Sequence, residues 1–211
     1  MAVAAPGSIA REFIRQYLAR WKLPYRGRIR RSRRESNILS DMPQPESPGA
    51  RLLRAHRTLS KLPAGRWLFT QLVKRMIPYT GSVNPTVEVL EPGHARISIK
   101  QKHRLEQHLG SIHAIALLNV AEFASGAAMS TALPAGFRGI VTKISMEYFK
   151  KARGKITAES RPVLPDPIEE GEFDFQSELT DEAGDVVARA TVRWRLGRAE
   201  ARPPTGTGST K

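Results

Sequence analysis

Gly110-Ser111-Ile112-His113-Ala114-Ile115-Ala116-Leu117-Leu118-Asn119-Val120-Ala121-Glu122-Phe123-Ala124-Ser125-Gly126 is apolar on nearly every side. As a helix it buries itself all round rather than along one stripe. No Pro interrupts it before Pro134, and Gly110-Ser111 offers a start with Ser111 as N-cap. Four polar side chains break the pattern: His113, Asn119, Glu122 and Ser125. The last three step by three residues, so they form one narrow strip with Glu122 at its middle. A buried carboxylate is costly unless it is paired or hydrogen-bonded. Glu122 therefore caps a loop, is the structural partner of a basic strand residue, or is a group with chemistry to perform.

The segments around this helix alternate with period two. Before it, Val87 and Val89 alternate with polar neighbours, Pro92-Gly93 makes a turn, and Ala95, Ile97 and Ile99 alternate again, which reads as a half-buried hairpin. Residues 101–109 form a polar connection. After the helix come four more strands, built on Ile144, Met146 and Tyr148, then Ile156 and Ala158, then Phe173, Phe175 and Leu179. The last places Val186, Ala188, Ala190, Val192, Trp194 and Leu196 inward and Arg189, Thr191, Arg193 and Arg195 outward, and Ala183-Gly184-Asp185 joins it to its predecessor as a hairpin turn. Such alternation implies an antiparallel sheet with one face on a core and one in water. The only apolar element able to cover the inner face is the central helix. The fold class is α+β: about six strands wrapped round one helix over Ile112–Met129.

Ahead of the sheet, Leu52, Leu53, His56, Leu59 and Leu62 suggest one short helix, broken at Pro63-Ala64-Gly65; Trp67, Leu68, Leu72, Val73 and Met76 suggest a second, ending at Pro78. Residues 1–48 read as a basic extension. Ile9, Phe13, Ile14, Tyr17, Leu18 and Trp21 share one helical side, Arg26 to Arg34 form a basic run, and Pro43, Pro45 and Pro48 mark Ser40–Gly49 as a linker. The domain then spans 49–198, and 199–211, rich in Pro, Gly and Thr, is a disordered tail.

The 211 residues carry a net charge of +14 and no Cys. Disulfides, thiolate chemistry and Cys-bound zinc are excluded. The five His hold no helical metal spacing, so neither metal nor cofactor is expected. The charge suits nucleic acid, an anionic membrane surface or an anionic small ligand. Nucleic acid is the weakest of these, resting on Arg26 to Arg34 without a recognisable motif. The basic amphipathic extension reads as a tail that docks on its own domain or stays mobile, and also suits an anionic membrane contact or an organelle transit sequence. No uncharged stretch reaches transmembrane length, and Arg11 and Arg15 interrupt a secretory-type apolar run. A cytoplasmic protein is expected, with a mitochondrial or membrane-peripheral location as the alternative.

The element order and the helix sequence together resemble the hotdog fold and, more narrowly, the phenylacetate-pathway-type acyl-CoA thioesterases. That family's motif runs Asn-x-x-Gly-x-x-His-Gly-Gly, with an acid nine residues after the His. Here Gly110, His113 and Glu122 keep that spacing, and Gln107 stands at the Asn position. Thr142, Phe149 and Gly154 match the strand pair that follows. Ala114 and Ile115 replace the Gly-Gly pair, so the ligand's close approach to the backbone is narrowed there.

The resemblance implies an acyl-CoA thioesterase without a cofactor. Glu122 would serve as base or nucleophile, Gln107 would orient water or substrate, and His113 would mark the helix start. The backbone N–H groups of Ala114 and Ile115 would polarise the thioester carbonyl. Lys150, Lys151 and Arg153 would meet the CoA phosphates. It also implies a homodimer with sites between subunits, a dimer of dimers being the larger assembly open to it. The alternative on the same fold is a non-catalytic acyl-CoA- or lipid-binding protein. A hotdog hydratase lacks its Asp-to-His spacing here.

Overall fold

The computed structural model describes residues 47–199; the basic run, the amphipathic segment and the C-terminal tail lie outside them. Three helices come first: α1 (Pro48–Leu59), α2 (Gly65–Met76) and the short α3 (Pro78–Ser82). The hairpin β1 (Thr86–Glu91) and β2 (His94–Lys100) leads through a 3₁₀ turn at His103–Leu105 into α4 (Ala114–Ala132). Then follow β3 (Phe137–Tyr148), β4 (Lys155–Ser160), β5 (Gly171–Thr180) and β6 (Val186–Arg198). The six strands form one sheet in the order β1-β2-β4-β5-β6-β3, antiparallel throughout. With α4 across its inner face this is the hotdog fold.

The helix sequence explains the fit. Val120, Ala121, Ala124 and Ala128 of α4 are fully buried, and their small side chains let the helix lie close to a curved sheet. Ser177, fully buried on β5, donates its hydroxyl to the Ala121 carbonyl at 2.8 Å. By length and composition α4 alone among the described helices could cross a membrane. Its apolar residues instead pack against β2, β4 and β5.

From Ala188 onward the alternation of β6 holds as read, while at its start Val187 is buried and Val186, read as inward, is only half-buried. Ala188, Ala190, Val192, Trp194 and Leu196 are buried. On the outer face Arg189, Arg193 and Arg195 sit opposite Glu178, Asp174 and Glu172 of β5, each pair at 2.7 Å. Exposed pairs of this kind stabilise little, but a one-residue slip would turn every one of them into the core.

Three boundaries differ from the sequence reading. Ser47, Pro48 and Gly49 are not linker: Ser47 Oγ accepts the Ala50 N–H at 3.0 Å, and Pro48 is the first residue of α1, where its missing N–H costs nothing. The second helix ends at Met76, two residues before Pro78, and Pro78 itself opens α3. The central helix begins at Ala114, not Ile112, with His113 as its N-cap.

Gly49 shows how tightly α1 is docked. A Cβ there would lie 1.8 Å from the Ser130 carbonyl oxygen of α4. Backbone meets backbone, so neither side yields cheaply. Gly49→Ala is expected to cost roughly 2–3 kcal/mol, lowering the melting temperature by about 4–12 °C. An unchanged melting temperature would show that α1 does not pack on α4.

Candidate functional site

The loop into α4 is fixed by its own polar groups. The Gln107 N–H and side-chain amide donate to the Ser111 carbonyl and hydroxyl at 2.9 and 2.8 Å, and the Gly110 N–H returns to the Gln107 carbonyl at 3.0 Å. That turn needs φ of +67° at Gly110, a conformation glycine adopts without penalty. Ser111 is thereby spent on the loop, and capping falls to His113, whose Nδ1 accepts the Ile115 N–H at 3.1 Å.

The segment after β3 closes over this loop. Ile112 N–H donates to the Ala152 carbonyl at 2.9 Å, and Arg153 Nε to the Gly110 carbonyl at 3.2 Å. Tyr148, whose pKa is raised by burial, donates its hydroxyl to the Ala114 carbonyl at 3.3 Å. Gln107, His113, Ala114, Ile115 and Arg153 are thus gathered at one helix end.

The other expected groups are placed less uniformly. Of the two expected carbonyl-polarising donors, Ile115 N–H is engaged by His113. Ala114 N–H has no acceptor among the described residues and points from the positive end of a 19-residue helix. Lys150 is held between Asp181 and Asp185 of the β5–β6 turn at 2.7 and 2.6 Å, which raises its pKa. That leaves Lys151, exposed and without an ion-pair partner among the described residues, and Arg153 as the cations on offer there.

Glu122 lies nine residues from His113 on the same helix, about 13 Å along the axis. No hydrogen bond or ion pair engages its carboxyl among the described residues, so the structural-partner reading finds no partner. Burial raises its pKa above the usual carboxylate range. Its neighbours on the polar strip divide. Ser125 Oγ accepts from the Trp194 indole N–H at 3.1 Å and donates to the Glu122 carbonyl at 3.0 Å, so it is structural. Asn119, 8% exposed, leaves its Oδ1 buried and without a partner among the described residues.

Glu122 opens onto a cavity of about 310 Å³. Leu52 of α1, Ile77 before α3, Phe123 and Met129 of α4, Phe137 of β3 and Trp194 of β6 are among its walls, and its charged lining residues are Glu122 and Arg138. Sequence reading missed Trp194 and Arg138 as neighbours of Glu122. Alternation assigns a face, not the residue it meets. No group of His, Asp or Glu among the described residues is arranged to hold a metal.

Comparison with known proteins agrees with this architecture. A structural-genomics protein matches at 26% identity with a TM-score of 0.64, over 71% of this chain and 100% of its own. A Pseudomonas aeruginosa protein of unknown function, described as a probable thioesterase, matches at 29% identity and TM-score 0.57, over 65% and 97%. A Haemophilus influenzae thioesterase, at 14% identity and TM-score 0.55 over 65% and 94%, shares the fold. No curated protein matches the sequence. Residues 65–196, the second helix through nearly the whole of the last strand, match the family model described as a domain of unknown function, DUF4442. The chain belongs to that family.

Proposed function

We propose that the protein is a thioesterase-like hydrolase acting on an acyl-CoA-type thioester. The observation that carries this is Glu122: an unpaired, half-buried carboxyl at the head of an apolar cavity, with its pKa raised by burial. A carboxylate raised in this way is a better base near neutral pH than an ordinary one. It would take a proton from water attacking the thioester carbonyl, or attack that carbonyl itself. The free Ala114 N–H at a helix start suits the developing oxyanion. Lys151 and Arg153 beside that start suit the phosphates of the leaving group. The relative described as a probable thioesterase supports the reaction class.

The distance along α4 supports a shared site. The N–H groups of one helix and the acid of the other would meet across a two-fold axis, so we propose a homodimer with two equivalent sites.

The cavity is at the lower end of the range for small-molecule sites, roughly 300–1,000 Å³, and it is apolar. Saturated acyl-CoAs of increasing length are expected to show KM falling by about fourfold per added methylene until the chain fills the cavity. KM independent of chain length would remove the cavity as the acyl site.

The alternative, an acyl-binding protein without turnover, is favoured by one observation. Ile115, 51% exposed, stands at the helix start with its N–H already taken by His113. Binding of the same acyl-CoAs with no release of free thiol would select it.

A further inference from the structure

We propose that the α1–α2 hairpin is a docking surface for a bilayer carrying anionic headgroups. Residues 47–87 contain seven Lys or Arg and neither Asp nor Glu. Arg51, Arg54, Arg57 and Lys61 step along one side of α1 and its C-terminal turn at helical spacing, and all are at least partly exposed, as is Arg66 at the start of α2. Among the described residues no acid pairs with Arg51, Arg57, Lys61 or Arg66. This differs from the outer face of the sheet, where Arg189, Arg193 and Arg195 are each neutralised by an acid opposite. The field of the surplus is felt locally. His56, edge-on to Phe69 at 4.9 Å, has its pKa lowered by burial and then by Arg66 and Arg57.

The hairpin tip is apolar as well as basic. Leu62 is 49% and Trp67 62% exposed, with Pro63 and Ala64 also exposed between them. A large apolar side chain in water at a helix tip is a cost without a return in the free chain. Trp is at its best at the headgroup level of a membrane, ring in the interface and N–H wet. Cations flanking such a ring each strengthen partitioning onto an anionic leaflet about fivefold. Nucleic acid would use the same cations but gives no reason for exposed Leu62 and Pro63. The same α1 also walls the Glu122 cavity, through Leu52 on the side away from that cationic stripe. The surface stands on its own residues whether or not the cavity hydrolyses a thioester.

The test uses the full chain with Trp21→Phe, which leaves Trp67 and the buried Trp194 as fluorophores. Its partitioning onto phosphatidylcholine vesicles is compared with that onto vesicles carrying about one third phosphatidylglycerol. Expected are binding to the anionic vesicles alone, weakening with salt, and a blue shift of emission that Trp67→Phe removes. Neutralising three cations (Arg57→Gln, Lys61→Gln, Arg66→Gln) should weaken partitioning roughly a hundredfold. Leu62→Ala with Trp67→Ala should weaken it about tenfold. All five positions are exposed, so melting temperatures stay put. Partitioning unchanged in both variants, or vesicle binding without a Trp67 shift, would place the contact elsewhere and overturn the proposal. Binding of RNA through the same cations, with no vesicle binding, would overturn it in favour of a nucleic-acid surface.

Discussion

Glu122→Gln is expected to leave a folded protein whose thioester hydrolysis falls by about 10³-fold, and whose melting temperature at neutral pH rises. The two effects share one cause. Burial without a cation partner raises the Glu122 pKa, so over the interval from its unfolded value, about 4.3, up to the raised folded value the native state binds more protons than the unfolded state. Stability then falls as pH rises through that interval, and the cost is fully present above it. Gln keeps the shape and carries no charge to desolvate. The variant's advantage should be full at neutral pH and vanish below about pH 4, where the carboxyl is protonated in both states. Activity runs the other way, since it needs the ionised form, and kcat/KM of the parent should drop on the acid side at a pH above the ordinary carboxylate range. A Glu that only neutralised a buried cation would behave oppositely, because removing its charge would strand the partner and lower the melting temperature. Hydrolysis retained in a well-folded Gln variant would refute the role.

What could be read in advance follows from which interactions are local. The alternation of β6 and the unbroken apolar run of α4 depend on nearest neighbours in sequence, and both stand in the structure. Boundaries set by Pro were misread, because Pro ends a helix and also begins one. Ser47 before Pro48 is a start signal that the neighbouring Pro43 and Pro45 masked. The cap was misplaced by two residues because Ser111 had a competing partner in Gln107, visible only once the loop is folded. Lys150 looked like a free cation because Asp181 and Asp185 arrive from a turn some thirty residues away. The expectation that α4 is buried all round fails along Ile115, Leu118, Glu122, Gly126 and Ser130, none of which is fully buried. Composition cannot separate a side covered by the chain's own strands from a side left for something else.

That open side leads to the second large effect: a dead Glu122→Gln subunit and a dead Ala114→Pro subunit should make a live enzyme when mixed. Glu122 and the Ala114 N–H are about 12 Å apart along one unbroken helix, too far for both to touch one thioester carbonyl. In an antiparallel pair related by a two-fold axis, each helix start lies beside the other's acid. The surfaces needed are present. Ile115 and Tyr148 are half-exposed at the start of α4, and β3, twelve residues long, ends the sheet with one edge unpaired among the described residues. A long free edge is a template for another strand. Ala114→Pro is a clean lesion: it deletes one N–H at the first helical position, where Pro is tolerated. His113 before it already has the extended ψ of 139° that a following Pro requires. In the mixed dimer one site receives an intact N–H from the first variant and an intact Glu122 from the second, while the other site receives both lesions. Equal mixing makes half the dimers mixed, each with one working site of two, so activity should return to about one quarter of the parent's. A monomer that hydrolyses the substrate at micromolar concentration would overturn the shared site. So would mixtures that stay inactive although both variants fold and exchange subunits, since both groups would then have to act within one chain.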